Sequence, residues 1–263
     1  MNIVDIIKKY NLITKKKFGQ NFLTDEIILD KIVNVAGDIK NKNILEIGPG
    51  PGGLTYSILK KEPKKLISVE IDNNLFNILQ KEFAEYNNFK VINVDALKIN
   101  ENDYFQNNIN IIANLPYNIG TSLLIKWMKN IKIFESFTLL LQKEVVDRII
   151  ASPCTKSYGR LSIIVQALCD VKKAFDVKPT SFIPPPKVMS SVVYIKPKLN
   201  QNINIEKLSN ITLALFNQRR KKIKCAIDLL LKNNTISSES IEKLDLNKRA
   251  EELNLEDYIR LTK

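Results

Sequence analysis

Residues 43–53 read Asn-Ile-Leu-Glu-Ile-Gly-Pro-Gly-Pro-Gly-Gly, an apolar run that meets one acidic residue and then a turn holding four glycines. A short apolar strand that enters such a turn and leaves it as a helix is the first half of a β–turn–α unit. In that unit the backbone itself can approach a ligand. Gly48 and Gly50 let the chain turn tightly, and Gly53 lets the following helix sit close on the sheet.

Outward from this turn, short apolar runs alternate with longer amphipathic ones. The pattern predicts strands at Asn43–Ile47, Leu66–Ile71, Lys90–Val94, Ile109–Ala113 and Phe137–Leu141, with later ones at Ala174–Val177 and Ser191–Ile195. Helices are expected at Gly53–Lys61, Asn73–Tyr86, Thr121–Asn130, Lys143–Ile150 and Leu161–Cys169. Near-continuous apolar strands separated by helices describe an α/β fold with a mostly parallel sheet covered on both faces. Upstream, a helix should begin near Thr24, which can cap it, with Asp25 and Glu26 at the positive end of its dipole. From about Asn202 the strand signals stop, and Ile211, Leu215, Ile223, Ile227 and Leu230 recur at helical spacing. The expected division is therefore a sheet domain over residues 1–200, opened by a basic arm over 1–24, and a small all-helical domain over 201–263.

The 263 residues are 44% apolar and 26% charged, enough for a sizeable core and against disorder. There is no histidine, which removes imidazole bases, His-dependent triads and His-ligated metals. A net charge of +12 favours a polyanionic partner, nucleic acid or an anionic membrane. Cys154, Cys169 and Cys225 match no short metal-ligand spacing, so no metal is expected and the thiols read as small core residues in a reducing compartment. The opening residues lack the apolar run of a signal peptide, and a cytoplasmic chain is expected. Tyr104–Ile125 is uncharged but holds five asparagines and Pro116, which suits a strand, loop and helix better than a membrane span.

Acidic residues follow the next two strands. Val69-Glu70-Ile71-Asp72 sets a carboxylate about 20 residues past the glycine turn, where it can hold two ribose hydroxyls. Asp95, followed by Ala96, can accept from an adenine amino group. Gly48, Gly50 and Gly53 alone also satisfy the dinucleotide pattern, so an NAD-dependent dehydrogenase stands as one reading. The acidic opening Glu46 and the segment after the fourth strand favour S-adenosylmethionine.

That segment is Asn114-Leu115-Pro116-Tyr117. The lone pair of adenine N6 is delocalised into the ring and is a poor nucleophile. An Asn side-chain oxygen and a backbone carbonyl can accept its two N–H bonds and favour a pyramidal nitrogen. Pro116 lacks an N–H and fixes φ, which holds the Leu115 carbonyl outward, and Tyr117 can stack on an extruded base. Alignment then matters more than a strong base, in keeping with a chain that has no histidine.

With these residues in view, the chain resembles the ribosomal RNA adenine dimethylase family, in its small-subunit type, over nearly its whole length. The resemblance rests on residues 17–23 (Lys-Phe-Gly-Gln-Asn-Phe-Leu), Gly48–Gly53, Val69–Asp72, Asp95–Leu97, Asn114–Tyr117, Gln142–Val145 and Tyr158–Ser162. It continues through Phe182–Val188, Phe216–Lys221 and Arg249–Leu253. It implies a class I methyltransferase (Rossmann-like) fold with a seven-stranded sheet and a helical C-terminal RNA-binding domain. It implies transfer of two methyl groups to N6 of each of two adjacent adenosines, in the 3′-terminal hairpin loop of 16S rRNA within a 30S assembly intermediate. Cofactor contacts are implied at Asn21, Leu23, Gly48, Glu70, Asp95 and Asn114, with Gly50, Ile71 and Ala96 in the same motifs. Phe182 is implied to sandwich the target base opposite Tyr117. Lys15, Lys16 and Lys17, Arg160, and Arg219, Arg220, Lys221 and Lys222 would then track RNA. Lys222-Ile223-Lys224 departs from the family pattern, which bears on substrate grip. A monomer free of membrane and metal is expected. The large-subunit dimethylase, a DNA adenine methylase and a non-enzymatic assembly factor stand as alternatives.

Overall fold

The computed structural model describes residues 3–15, 18–199 and 203–263. Its strands, in chain order, are β1 (Phe22–Leu23), β2 (Asn43–Ile47), β3 (Lys65–Glu70), β4 (Phe89–Asn93), β5 (Ile109–Asn114), β6 (Phe134–Gln142), β7 (Cys169–Val177), β8 (Phe182–Ile183) and β9 (Ser190–Pro197). Seven of them form one sheet in the order β4-β3-β2-β5-β6-β9-β7. β2 pairs in parallel with β3 and β5, as β3 does with β4 and β5 with β6. β9 enters antiparallel beside β6, Phe137 facing Ile195 and Gln142 facing Ser190.

The strand chemistry follows position. β2, β3 and β5 are buried along almost every residue, which is why they read as near-continuous apolar runs. β7, at the sheet edge, alternates half-buried with exposed positions between its two buried ends, as a strand with one wet face does. Strand order reverses at β2, with β3 on one side and β5 on the other. The crevice beyond the carboxyl ends of these strands is where open α/β sheets bind ligands.

Among the helices, α1 (Ile3–Lys9), α2 (Glu26–Val35), α3 (Gly53–Leu59) and α4 (Asn73–Glu82) precede β5, and α5 (Gly120–Lys129) and α6 (Lys143–Ile149) flank β6. α2 starts one residue later than expected. Thr24 is committed elsewhere, its N–H donating to the Ser181 carbonyl at 3.0 Å, and Asp25 caps the helix by accepting from the N–H groups of Ile27 and Ile28. That displacement has a tertiary cause. β1 and β8 form a separate two-stranded antiparallel sheet, Phe22 opposite Ile183 and Leu23 opposite Phe182, which the sequence reading did not anticipate.

The chain divides into two compact units. The first comprises Met1–Lys126, Lys132–Val146 and Lys172–Lys196; the second comprises Trp127–Ile131, Asp147–Val171 and Pro197–Lys263. The helical unit thus takes in more than residues 201–263. Ala151, Tyr158 and Ile163, the last on α7 (Arg160–Leu168), share one core with Leu208, Ile211 and Leu215 of α8 (Ile205–Asn217). The same core includes Ile227 of α9 (Lys224–Lys232) and Tyr258 of α10 (Leu255–Leu261). Only Cys169 is a buried thiol; Cys154 and Cys225 are exposed, contrary to their reading as core residues. Cys154 sits in a turn with left-handed backbone at φ 64°. No helix among the described residues is long and apolar enough to cross a membrane.

Candidate active site

At the carboxyl ends of β2, β3 and β5 lies a cavity of about 300 Å³, walled by the 18–23 arm, the glycine turn, Glu70–Ile71, Val94–Leu97 and Asn114–Ile119. The turn is shaped by what surrounds it. Gly48 has φ +66° and donates its N–H to the Val69 carbonyl at 2.9 Å, while a Cβ there would meet the Pro116 ring at 3.3 Å. Gly52 has φ +93°, and a Cβ would lie 2.5 Å from the Phe83 ring, so no larger residue fits. Gly52 shares the close-packing role with Gly53, whose Cβ would meet Ile3 and Leu29 at 2.9 Å.

Glu70 ends β3 and is 5% exposed. Its Oε1 accepts the Asp72 N–H at 2.9 Å and its Oε2 the Gly50 N–H at 3.4 Å. Burial still outweighs these bonds and pushes its carboxyl up to about 7. Glu46, in β2, is buried as well, and burial raises it to about 7 despite bonds to Oε2 from Thr55 (2.7 Å) and Ser68 (2.6 Å). Its Oε1 has no hydrogen-bond partner among the described residues. Asp95 accepts the Leu97 N–H at 3.0 Å. Lys126 fastens the loop below by donating to the carbonyls of Ala96 and Ile99 and to Glu101. Ile71 and Leu97 stand 45% and 38% exposed at the cavity, an apolar surface open to a planar ring.

The basic arm is tied to the same edge. Asp72 caps α4 through the Asn74 N–H and also accepts from Lys15 Nζ at 2.9 Å and Gln20 Nε2 at 3.3 Å. Burial would raise this carboxyl, but Lys15 and the two other donors outweigh it and hold it below the usual range. The Lys15 N–H donates to Gln20 Oε1 at 2.7 Å. Lys15 therefore serves the arm's own attachment, and Lys16 and Lys17 lie outside the described residues.

Asn114 ends β5, and its Nδ2 donates to the Asn21 carbonyl at 3.4 Å, which leaves Oδ1 as the acceptor of that amide. The Leu115 N–H is taken by the Leu140 carbonyl at 3.1 Å. Tyr117 is half-buried, its hydroxyl 2.6 Å from Ser190 Oγ. Burial raises its phenol above the ordinary value, with the Ser190 bond opposing. Phe182 departs from its expected place. It is 2% exposed and packed in the sheet unit's core with Leu23 and Leu29, because its strand β8 pairs with β1 and turns the ring inward. It does not line the cavity.

Of the other basic residues, Arg160 is exposed at the first turn of α7. Arg219 is consumed within the helical unit, its Nε on Glu251 at 2.6 Å and its Nη2 on the Lys156 carbonyl at 2.7 Å. Lys222 donates to Asn247 at 3.1 Å. Arg220 and Lys221 are exposed, and their side chains make no ion pair or hydrogen bond among the described residues. Phe18, Gln20, Phe22 and Glu46 line the cavity without having been picked out as site residues. The first three lie inside the quoted 17–23 motif, and Glu46 was visible only as the acidic opening of the turn. Among the described residues no cluster of three or more Cys, Asp or Glu side chains could hold a metal.

A mostly parallel seven-stranded sheet with one antiparallel insertion, a glycine turn after its central strand and a buried carboxylate ending the next, defines a class I methyltransferase fold. A family model described as ribosomal RNA adenine dimethylase matches residues 11–263. The chain belongs to that family. It is 46% identical, over 94% of its length and 95% of the relative's, to a protein of Ehrlichia chaffeensis named ribosomal RNA small subunit methyltransferase A. The crystal structure of a dimethyladenosine transferase from Plasmodium falciparum superposes with a TM-score of 0.77 at 30% identity, covering 91% of this chain and 95% of that one. The 23S rRNA methyltransferase ErmE shares the fold at a TM-score of 0.70 and 23% identity, over 92% of this chain and 98% of its own.

Proposed function

We propose that this chain dimethylates N6 of two adjacent adenosines in the 3′-terminal hairpin loop of 16S rRNA, acting as a cytoplasmic monomer on a 30S assembly intermediate with S-adenosylmethionine as donor. One observation carries the reading: Asn114, Leu115, Pro116 and Tyr117 line the same cavity as Glu70 and Asp95. The residues fit the donor. A buried carboxylate at Glu70 suits two ribose hydroxyls, exposed Ile71 and Leu97 suit an adenine face, and Asp95 suits its amino group. Gly48, where a Cβ would press on Pro116, leaves the backbone bare beside Asn114. Asn21 and Leu23 complete the wall from the arm, with Gly50 and Ala96 in the turn and loop.

When bound, S-adenosylmethionine supplies an electrophilic methyl group. The chain's own contribution is geometric. Asn114 Oδ1 and the Leu115 carbonyl accept the two N6–H bonds and draw the nitrogen lone pair out of conjugation with the ring. Tyr117 holds the base by stacking, worth about 1–3 kcal/mol in comparable contacts. A methylated amine of this kind is acidic, so water takes its proton and no histidine is needed. Arg160, Arg220 and Lys221 carry the exposed charge for phosphate contacts. The small-subunit reading is favoured over the large-subunit one by the names of relatives that are 41–46% identical.

The test is incubation with unmethylated 30S particles and methyl-labelled S-adenosylmethionine, followed by nucleoside analysis of the RNA. Dimethyladenosine in 16S rRNA is the expected product. Label in another nucleoside, or binding of NAD without S-adenosylmethionine, would end the proposal.

A further inference from the structure

Ser190 was not among the residues that sequence reasoning singled out, yet it touches the tip of the Asn-Leu-Pro-Tyr segment. It is the first residue of β9, fully buried, and stands opposite Gln142 of β6. Its neighbour Ser191 donates to Asp176 of β7. β9 lies between β6 and β7 in the sheet, so Ser190 sits on a strand held from both sides. Tyr117, in contrast, lies in a loop that is anchored where the Pro116 carbonyl accepts the N–H groups of Ile119 and Gly120, both at 3.1 Å. The 2.6 Å hydrogen bond between Tyr117 Oη and Ser190 Oγ joins the two.

A tyrosine fixed only at its Cα swings about χ1 among staggered positions. Fixed also at the hydroxyl, more than 6 Å along the ring axis by ordinary bond lengths, it can turn about that axis but cannot swing. With Phe182 buried in the core, Tyr117 is the ring that this segment presents to the cavity. The direction of its phenol pKa, raised by burial, keeps the hydroxyl protonated and the bond intact through the neutral range.

We infer that Ser190 is a positioning residue that holds the axis of the Tyr117 ring in the place where the extruded adenine stacks, an inference that rests on the stacking role proposed for Tyr117. Ser190 touches neither base nor donor. It acts through the tyrosine hydroxyl alone, so the two hydroxyls form one functional unit.

The experiment compares Ser190→Ala, Tyr117→Phe, the double variant and Tyr117→Ala in the full-length chain. Methyl transfer to 30S particles gives kcat and the KM for S-adenosylmethionine. The fluorescence of 2-aminopurine at the target position of a hairpin RNA reports how the base is held. Ser190→Ala is expected to lower kcat about tenfold, the scale of one lost buried hydrogen bond, with the KM unchanged. Tyr117→Phe keeps the ring and should lose as much. The double variant should lose no more than either single one, and all three should shift the 2-aminopurine signal alike. Full turnover by Ser190→Ala or Tyr117→Phe, with Tyr117→Ala inactive, would overturn the positioning role and leave stacking standing. Losses that multiply in the double variant would also overturn it. Full turnover by Tyr117→Ala would remove the stacking role and this inference with it. If Ser190→Ala folds poorly, Tyr117→Phe breaks the same bond from the other side and decides the matter.

Discussion

At the carboxyl ends of β2 and β3, Glu46 and Glu70 are buried carboxyls raised to about 7, and the Oε1 of Glu46 has no hydrogen-bond partner among the described residues. In the helical unit the polar groups close on each other. Arg219 is taken by Glu251 and two carbonyls, Arg260 pairs with Asp257, and Tyr258 donates to the Ala250 carbonyl, while the buried Tyr158 hydroxyl has no partner among the described residues. A carboxyl buried without full compensation costs folding stability, so the sheet unit carries a strain that a bound ligand can relieve. Within the run Arg219–Lys224, Arg219 and Lys222 are spent on the fold of the helical unit itself. What remains for a polyanion is narrower than the run Arg219–Lys224 suggests.

Variants in both units sharpen this contrast. Asn114→Ala should fold normally and lose methyl transfer about a hundredfold, on the scale of other groups that act only in the transition state. Near-normal turnover would mean that the segment after β5 is only a turn. Glu70→Ala should weaken S-adenosylmethionine binding by about 1–3 kcal/mol in isothermal titration, and an unchanged dissociation constant would refute the ribose contact.

The same carboxylate gives a pH test. In the folded, donor-free state Glu70 holds its proton up to about 7, above its ordinary value of 4.5. Its contribution to stability is therefore complete below pH 4.5 and is lost as pH rises through about 7. Two ribose hydroxyls favour the ionised form, so donor affinity should rise between pH 6 and pH 8 with release of a proton. Glu70→Gln should abolish that slope. In the absence of donor, the melting temperature should fall between about pH 4.5 and pH 7 and level off above that, and Glu46→Gln should flatten part of that fall.

In the helical unit, Arg220→Ala with Lys221→Ala should weaken RNA binding and lower the salt slope by about 1 per residue without moving the melting temperature. Arg219→Ala should do the reverse, lowering stability by about 1 kcal/mol, since its ion pair is partly exposed, and leaving the salt slope nearly intact. The smallest effect is expected from Lys15→Met. Its bond to Asp72 joins a half-exposed lysine to a buried carboxylate, so donor affinity should drop by about 0.5 kcal/mol through a loosened arm. A loss in RNA affinity with unchanged donor affinity would instead assign Lys15 to phosphate contact.

Much of the sheet unit was legible because its signals are local. The glycine turn, the carboxylate ending β3 and the Asn-Leu-Pro-Tyr segment each declare themselves within a few residues, and all three line one cavity. What escaped depends on partners far along the chain. Thr24 reads as a cap until Ser181, 157 residues away, takes its hydrogen bond. Phe182 reads as a ring at the pocket edge until β8 pairs with β1 and turns it inward. Arg219 reads as a free cation until Glu251 folds back onto it. Ser190 carries no local sign that it meets Tyr117.

The residues alone determined the α/β class, the parallel character of the sheet, the binding turn and the kind of chemistry. These follow from periodicity, backbone freedom and residue type, all set by neighbours in sequence. Only the tertiary structure decided which charges are spent, which aromatic ring is presented and where the helical unit begins. Those depend on burial and pairing between distant segments, and a side chain's solvent and partners exist only once the chain has closed.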